Sequence, residues 1–241
     1  MAEALMTAEQ DCVAAVSATF SSVFAQINSW RARVESFVDD AGGSVTVSEV
    51  DGLTESLVVS ALSADDALII GAGFVAAPGF IADAEWHLAW WLGHSNTFGV
   101  GSANPSVRRL EAEEDTTSES FRDYTALEWW RVPAGTLAPH ITGPYVDYLC
   151  TDDYTLTLTM PVIHRAAMIG VVGADLYVND IERTLLPWVH GIDHTATIVN
   201  ASGRVVVSTD PHRPTGSLLR LDGRVSIPCN ETSLLLVRDP G

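Results

Sequence analysis

From Val13 onward the apolar residues Val16, Phe20, Val23, Ile27, Trp30, Val34 and Phe37 recur at alternating steps of four and three. That is the 3.5-residue spacing of a helix with one continuous apolar seam. Phe24 and Val38 lie beside the seam and widen it, and the Gly42, Gly43 pair ends the pattern. A seam of this kind packs lengthwise on the molecule's own sheet, against a second copy of the chain, or both. The unbroken spacing leads us to expect a homodimer through this N-terminal helix. A shorter helix is suggested by Leu53, Leu57, Val58 and Leu62.

The period then changes from helix to strand. "ALIIGAGFVAAPG" (67–79) and "AEWHLAWWLG" (84–93) form a plausible hairpin, with Trp86, Leu88 and Trp90 alternating onto one face. "YTLTLTMPVI" (154–163) and "AAMIGVVGADLYV" (166–178) read as a second antiparallel hairpin with His164 and Arg165 at its turn. "NDIERTLLPWV" reads as a short helix capped by Asn179 or Asp180. "TATIVNASGRVVVST" is a third hairpin, and short apolar runs at 217–221, 224–228 and 233–237 complete a small β tail. The fold class is α+β: a long N-terminal helix, a mostly antiparallel sheet, a helical crossover and a small C-terminal β lobe.

Composition narrows the partners. The formal charge is −18, from 31 acidic against 13 basic residues, and every basic residue is Arg. Such a chain repels phosphate backbones and anionic lipid, so no nucleic acid and no membrane surface is expected as a partner, whereas a cationic ligand is electrostatically favoured. No segment has the roughly 18 to 20 apolar residues that span a bilayer, and MAEALMTAEQD lacks the pattern of a signal peptide. The expected location is cytoplasmic. Cys12, Cys150 and Cys229 are widely spaced and suggest neither a disulfide framework nor a thiolate metal site. The acidic run EAEED within residues 95–120 reads as a solvated face.

Candidate chemistry gathers at "EWWRVPAGTLAPHITGPYVDY" (128–148), where bulky aromatics stand on a stretch punctuated by Pro and Gly. Aromatics on a loop suggest the wall of a pocket. An ammonium group entering a pocket loses hydration and needs carboxylate oxygens or aromatic faces in return, each cation–π contact contributing about 0.5 to 2 kcal/mol. Asp175 interrupts the apolar run IGVVGADLYV. There a carboxylate needs its own hydrogen-bond donors or a positive partner. Core packing of Trp129 and Trp130, and turn capping by Asp175, are the plain alternatives.

The ordered set "DYTALEWWRVP…ITGPYVDY…YTLTLTMPVI…GVVGADLYVNDIE" resembles the Cache family of ligand-binding sensor domains, relatives of the PAS fold. The resemblance spans about residues 1–192. It implies a helix at 1–43, a PAS-like ligand-binding domain at 44–192, and a small lobe or shortened second Cache lobe at 193–241. It further implies a ligand held on one sheet face under the aromatic pair, with Trp129, Trp130, Tyr145, Asp147 and Asp175 at the site and Tyr124 as a looser candidate. Amino-acid-binding members of the family place an Arg two residues before the Trp to take a carboxylate, and here that position is Leu127. The expected ligand is therefore a cationic amine. An amino acid or carboxylic acid clamped by a relocated Arg122 or Arg131 is the alternative. Asp147, on its turn, is expected to be wetter than Asp175, and a separate regulatory partner is expected to read the output.

Other classes find less support. His190 and His194 have Gly191 between them and no obvious third ligand, so no metal is expected. Neither a GxSxG elbow, a P-loop nor an HExxH motif occurs, and Gly71 and Gly73 form only a lone GxG. The reading is of a binding module without cofactor rather than an enzyme. A hydrolase or a purely structural dimerisation module are the alternatives.

Overall fold

The computed structural model describes residues 2–64, 67–96, 106–147, 151, 153–230 and 232–239, with side chains from Thr7 onward. Helix α1 (Ala2–Asp40) carries the apolar seam. Val16, Phe20, Val23, Ile27, Trp30, Val34 and Val38 are each at most 5% exposed and join the main core with Leu156, Leu158, Val172 and Leu176. This row is covered by the chain's own sheet. The last contact falls on Val38 rather than Phe37, which is only half buried. A straight helix turns every 3.6 residues, so a 3.5 pattern drifts off the buried line within a few turns. Helix α2 (Val47–Leu62) starts where the Thr46 N–H donates to Glu49 Oε2 at 2.8 Å, a capping-box contact. It buries Val50, Thr54, Val58 and Leu62 and leaves Leu53 and Leu57 at the margin.

Six strands follow: β1 (Ile69–Ala76), β2 (Leu88–Leu92), β3 (Arg108–Arg109), β4 (His140–Val146), β5 (Tyr154–His164) and β6 (Ala167–Tyr177). They form one sheet in the order β3-β2-β1-β6-β5-β4, with every neighbouring pair antiparallel. Both expected hairpins of this sheet are present as β1/β2 and β5/β6. Arg165 and Ala166 turn the second one with φ of 49° and 65°, the left-handed pair that matches the strands' twist in a two-residue turn. Helix α4 (Val178–His190) is capped by Tyr177, two or three residues before the expected cap at Asn179 or Asp180, which both lie inside its first turn. Beyond it β7 (Ala196–Val199), β8 (Val205–Ser208), β9 (Val225–Pro228) and β10 (Leu235–Arg238) make a second antiparallel sheet ordered β8-β7-β10-β9. Asn200 Nδ2 ties this lobe to the first sheet by donating to Gly143 O at 2.7 Å. Among the described residues no helix is long and apolar enough to cross a membrane.

Strand alternation gives the large sheet two chemically different faces. Leu156, Leu158, Ala174, Leu176, Phe74 and Trp91 point to the core beneath α1 and α2. Their neighbours Thr157, Thr159, Asp175, Gly73 and Trp90 occupy the other face, where α3 (Glu128–Thr136) packs. The aromatic stretch is therefore not a loop: it is this helix followed by the edge strand β4.

Candidate ligand-binding site

Cross-strand register builds the site floor. Thr142, Thr157, Asp175, Gly71 and Leu92 are successive partners across β4, β5, β6, β1 and β2, so they share one face. One step along the strands, Thr159, Gly173, Gly73 and Trp90 form the next row. The two glycines give the Trp90 indole room to lie across the sheet. A Cβ at Gly73 would sit 2.9 Å from Trp90 Cε3 and one at Gly173 3.4 Å from Cη2.

The helix above is held by one hydroxyl. Pro133 lies inside α3 and has no N–H to give to the carbonyl four residues back, that of Trp129. Thr159 Oγ1 donates to that freed carbonyl at 2.9 Å, pinning α3 to β5. Trp129 and Trp130 then pack with Tyr124, their centroids 6.1 and 5.3 Å from its ring. Trp86 meets Tyr124 edge-on at 5.0 Å, and the Tyr124 hydroxyl donates to Ala76 O at 2.7 Å.

The edge strand brings in the remaining side chains through a bulge. Thr142 pairs with Thr157, but Tyr145 pairs with Thr155, so three steps on β4 answer two on β5. An extra residue reverses the alternation beyond it. Tyr145 and Asp147 consequently join the Thr142 face instead of pointing away from it. Gly143 makes the bulge possible: its φ is 106°, and a Cβ there would lie 2.6 Å from Thr155 O.

A small cavity results, lined by Val75, Leu88, Trp90, Trp129 and Tyr145 with Asp147, Thr157 and Asp175. The walls leave about 20 Å³ for the centre of a water-sized body, little more than one water needs. Asp175 is 2% exposed and Asp147 7%. Thr157 Oγ1 donates to Asp175 Oδ1 at 2.6 Å, and the Tyr145 hydroxyl lies 2.8 Å from Thr157 Oγ1. With Asp175 ionised, Thr157's proton is committed to it, so Tyr145 donates in turn to Thr157. Burial, and then the nearby Asp147 charge, push the Asp175 carboxyl well above its ordinary range, against the Thr157 hydrogen bond. Among the described residues no Arg or His pairs with Asp175. The site is an acidic, aromatic-walled pocket.

Comparison with known proteins fits this geometry. Residues 89–183 match the family model of the methyl-accepting chemotaxis protein-like first PDC sensor domain. Over that segment the chain is similar to a PDC sensor domain of the Cache type. No curated protein matches it in sequence. Among solved structures it is similar to a methyl-accepting chemotaxis protein X, with 14% identity and a TM-score of 0.61 over 99% of this chain and 97% of that one. It is also similar to the ligand-binding domain of the Pseudomonas fluorescens chemoreceptor CtaA in complex with L-valine (14%, TM-score 0.58, 92% and 89% covered). The ligand-binding domain of the Campylobacter jejuni chemoreceptor Tlp3 in complex with L-norvaline is a third (11%, TM-score 0.54, 89% and 72%). At these identities the structural likeness speaks for the fold.

Within this fold the expected site residues separate. Trp129, Tyr145, Asp147 and Asp175 line the cavity together. Trp130 and Tyr124 stand behind the wall in the aromatic cluster. Arg131 is exposed on α3, and Arg122 is exposed with its guanidinium on the carbonyls of Glu119 and Phe121; neither lines the cavity. Asp147 is buried rather than wet, because the bulge turns it inward from the end of β4. Of the two histidines considered for a metal, His190 is exposed on the last turn of α4 and His194 lies 3.6 Å from Glu9. No cluster that could hold a metal occurs among the described residues. Sequence reasoning overlooked Thr157, Trp90, Leu88 and Val75 as site residues. The T-L-T-L-T alternation of β5 was the available signal, since it sends a hydroxyl row to the face that Asp175 shares.

A second ionic cluster lies at the start of β2. His87, 1% exposed, faces Asp51 Oδ1 through Nε2 at 2.9 Å and Glu114 Oε1 through Nδ1 at 3.0 Å. Arg109 reaches Asp51 at 3.0 Å, and the Leu88 N–H donates to Glu114 Oε1 at 3.0 Å. Burial alone would lower the His87 pKa, but the Glu114 and Asp51 contacts outweigh it and raise it. The acidic run that read as a solvated face thus supplies Glu114 as a partner for a buried imidazole.

Proposed function

We propose that the chain is a small-molecule sensor whose ligand presents an ammonium group to Asp147 and Asp175. The domain type is a ligand-binding sensor of the chemoreceptor kind. What carries the finer reading is the pair of buried carboxylates facing one cavity, with no cationic side chain among the described residues of its lining. Bringing an ammonium between them offsets their mutual repulsion and the cost of burying them. Trp129 and Tyr145 supply ring faces beside the cation. The limited free volume favours a ligand of few heavy atoms, or one that parts α3 from the floor as it enters. The bound state is read by a separate regulatory partner.

A second reading, an α-amino acid, rests on two specific observations. The CtaA and Tlp3 domains hold L-valine and L-norvaline. In this chain Arg204 lines a depression that shares Trp129 and Tyr145 with the cavity, so a carboxylate could be met across that wall and not by Arg122 or Arg131. Calorimetric titration with isobutylamine and valine, which differ by the carboxylate, separates the two. Comparable or tighter binding of the amine is expected. Valine binding more than about tenfold tighter, about 1.4 kcal/mol, would favour the amino acid, and binding of isobutyrate alone would overturn both.

A further inference from the structure

The indole N–H of Trp90 is a buried donor without an acceptor. Trp90 is 5% exposed, lines the cavity, and its Nε1 has no hydrogen-bond partner among the described residues. An indole nitrogen donates and never accepts, and a buried donor left unmade is costly enough that such groups are rare in folded proteins. Its position is set by the glycine floor. A Cβ placed on Gly71 would sit 2.9 Å from Trp90 Nε1 and 3.3 Å from Asp175 Oδ2, so donor and carboxylate flank the same backbone position. The side chain of Thr157 is already committed to Asp175.

We infer that Trp90 is a specificity-determining residue: its N–H donates to an oxygen that the ligand carries close to its ammonium group. This rests on the carboxylate-pair reading above and narrows it. The pocket takes an ammonium with a neighbouring neutral oxygen, a hydroxyl or a carbonyl, in preference to a plain alkylamine, while the charges of Asp147 and Asp175 repel a carboxylate. With an alkylamine bound, the carboxylates are served but the indole donor stays unpaired in a drier pocket.

The test uses two probes of equal heavy-atom count, 2-aminoethanol and propylamine, titrated into the parent chain and into Trp90→Phe. The parent is expected to prefer 2-aminoethanol by about tenfold, and Trp90→Phe to bind the two within about twofold of each other. A preference that persists in Trp90→Phe, or equal binding by the parent, overturns the inference while leaving the carboxylate pair intact. No response of the parent to either amine overturns the amine reading and the inference with it. Should the phenylalanine variant misfold, the parent's Trp indole N–H resonances decide the matter. One of them moving downfield with 2-aminoethanol and not with propylamine supports the inference, and identical responses to both probes overturn it.

Discussion

On either side of β2 the protein brings two carboxylates near one another, partly exposed on one side and buried on the other, with opposite consequences. At the His87 cluster, Asp51 and Glu114 close on an imidazole that can donate from both nitrogens, and Arg109 adds a second cation. At the cavity, Asp175 has a threonine hydroxyl, a second carboxylate and, among the described residues, no ion-pair partner. The first arrangement is electrostatically closed and ties α2, β2 and the following segment together. The second is open: none of the described residues supplies a counter-charge to Asp175. The same residue types are structural where the fold supplies the counter-charge and available for binding where it does not.

The largest expected effect breaks the closed side. His87→Ala leaves Asp51 and Glu114 facing each other without the imidazole and should cost about 2 to 3 kcal/mol in chemical denaturation, less than a fully buried pair because both carboxylates are partly exposed. A loss below about 0.5 kcal/mol would mean that the cluster is not a structural tie. On the open side, Asp175→Asn should do the reverse. Stability should be unchanged or higher, because a buried charge is removed. Amine affinity should fall by more than about tenfold, about 1.4 kcal/mol, and Asp147→Asn should cost less. A lower melting temperature with unaltered binding would make Asp175 structural.

Protonation sharpens the contrast. His87 has a raised native pKa, so its contribution is fully present below its unfolded value of about 6.5 and is lost as pH rises through the raised value. Asp175 also has a raised native pKa, but it is an acid. The folded chain keeps its proton where the unfolded chain, above about pH 3.9, has lost it, and stability declines from there up to the native value. Stability curves of His87→Ala and Asp175→Asn against the parent should each flatten one of these declines. Ammonium binding needs Asp175 ionised, so binding should release a proton and tighten as pH rises through its raised pKa. Titration heats that do not depend on buffer ionisation enthalpy would contradict that. The smallest effect is reserved for Arg131→Ala, which should change neither stability nor amine affinity by more than about 0.5 kcal/mol.

Regular alternation was legible in the sequence wherever packing obeyed it. The β5/β6 hairpin, the leading helix and the acid at position 175 all announce themselves by period or by its interruption. The helix at 128–136 did not, because Pro133 and Gly135 read as breakers and nothing local reveals that Thr159, far along the chain, caps the carbonyl that the proline frees. Trp90 was legible as a strand residue but not as a pocket floor, since that role depends on glycines in two other strands. The seam's partner was illegible for a different reason: a narrow apolar stripe is the same stripe whether a sheet or a second helix covers it. Glu114 looked like solvent-facing charge because its histidine lies 27 positions earlier.

The bulge at Gly143 makes half of the pocket a matter of counting. Tyr145 and Asp147 face inward only because one extra residue precedes them on β4, and β4 is an edge strand with no neighbour beyond it. A substitution at Gly143 that closed the bulge without removing a residue would turn both side chains outward and bring Pro144 and Val146 in their place, while the other five strands kept their pairing. A lineage could in this way exchange an acidic, phenol-bearing wall for an apolar one in a single heritable step, changing what the domain detects without redesigning the scaffold that holds it.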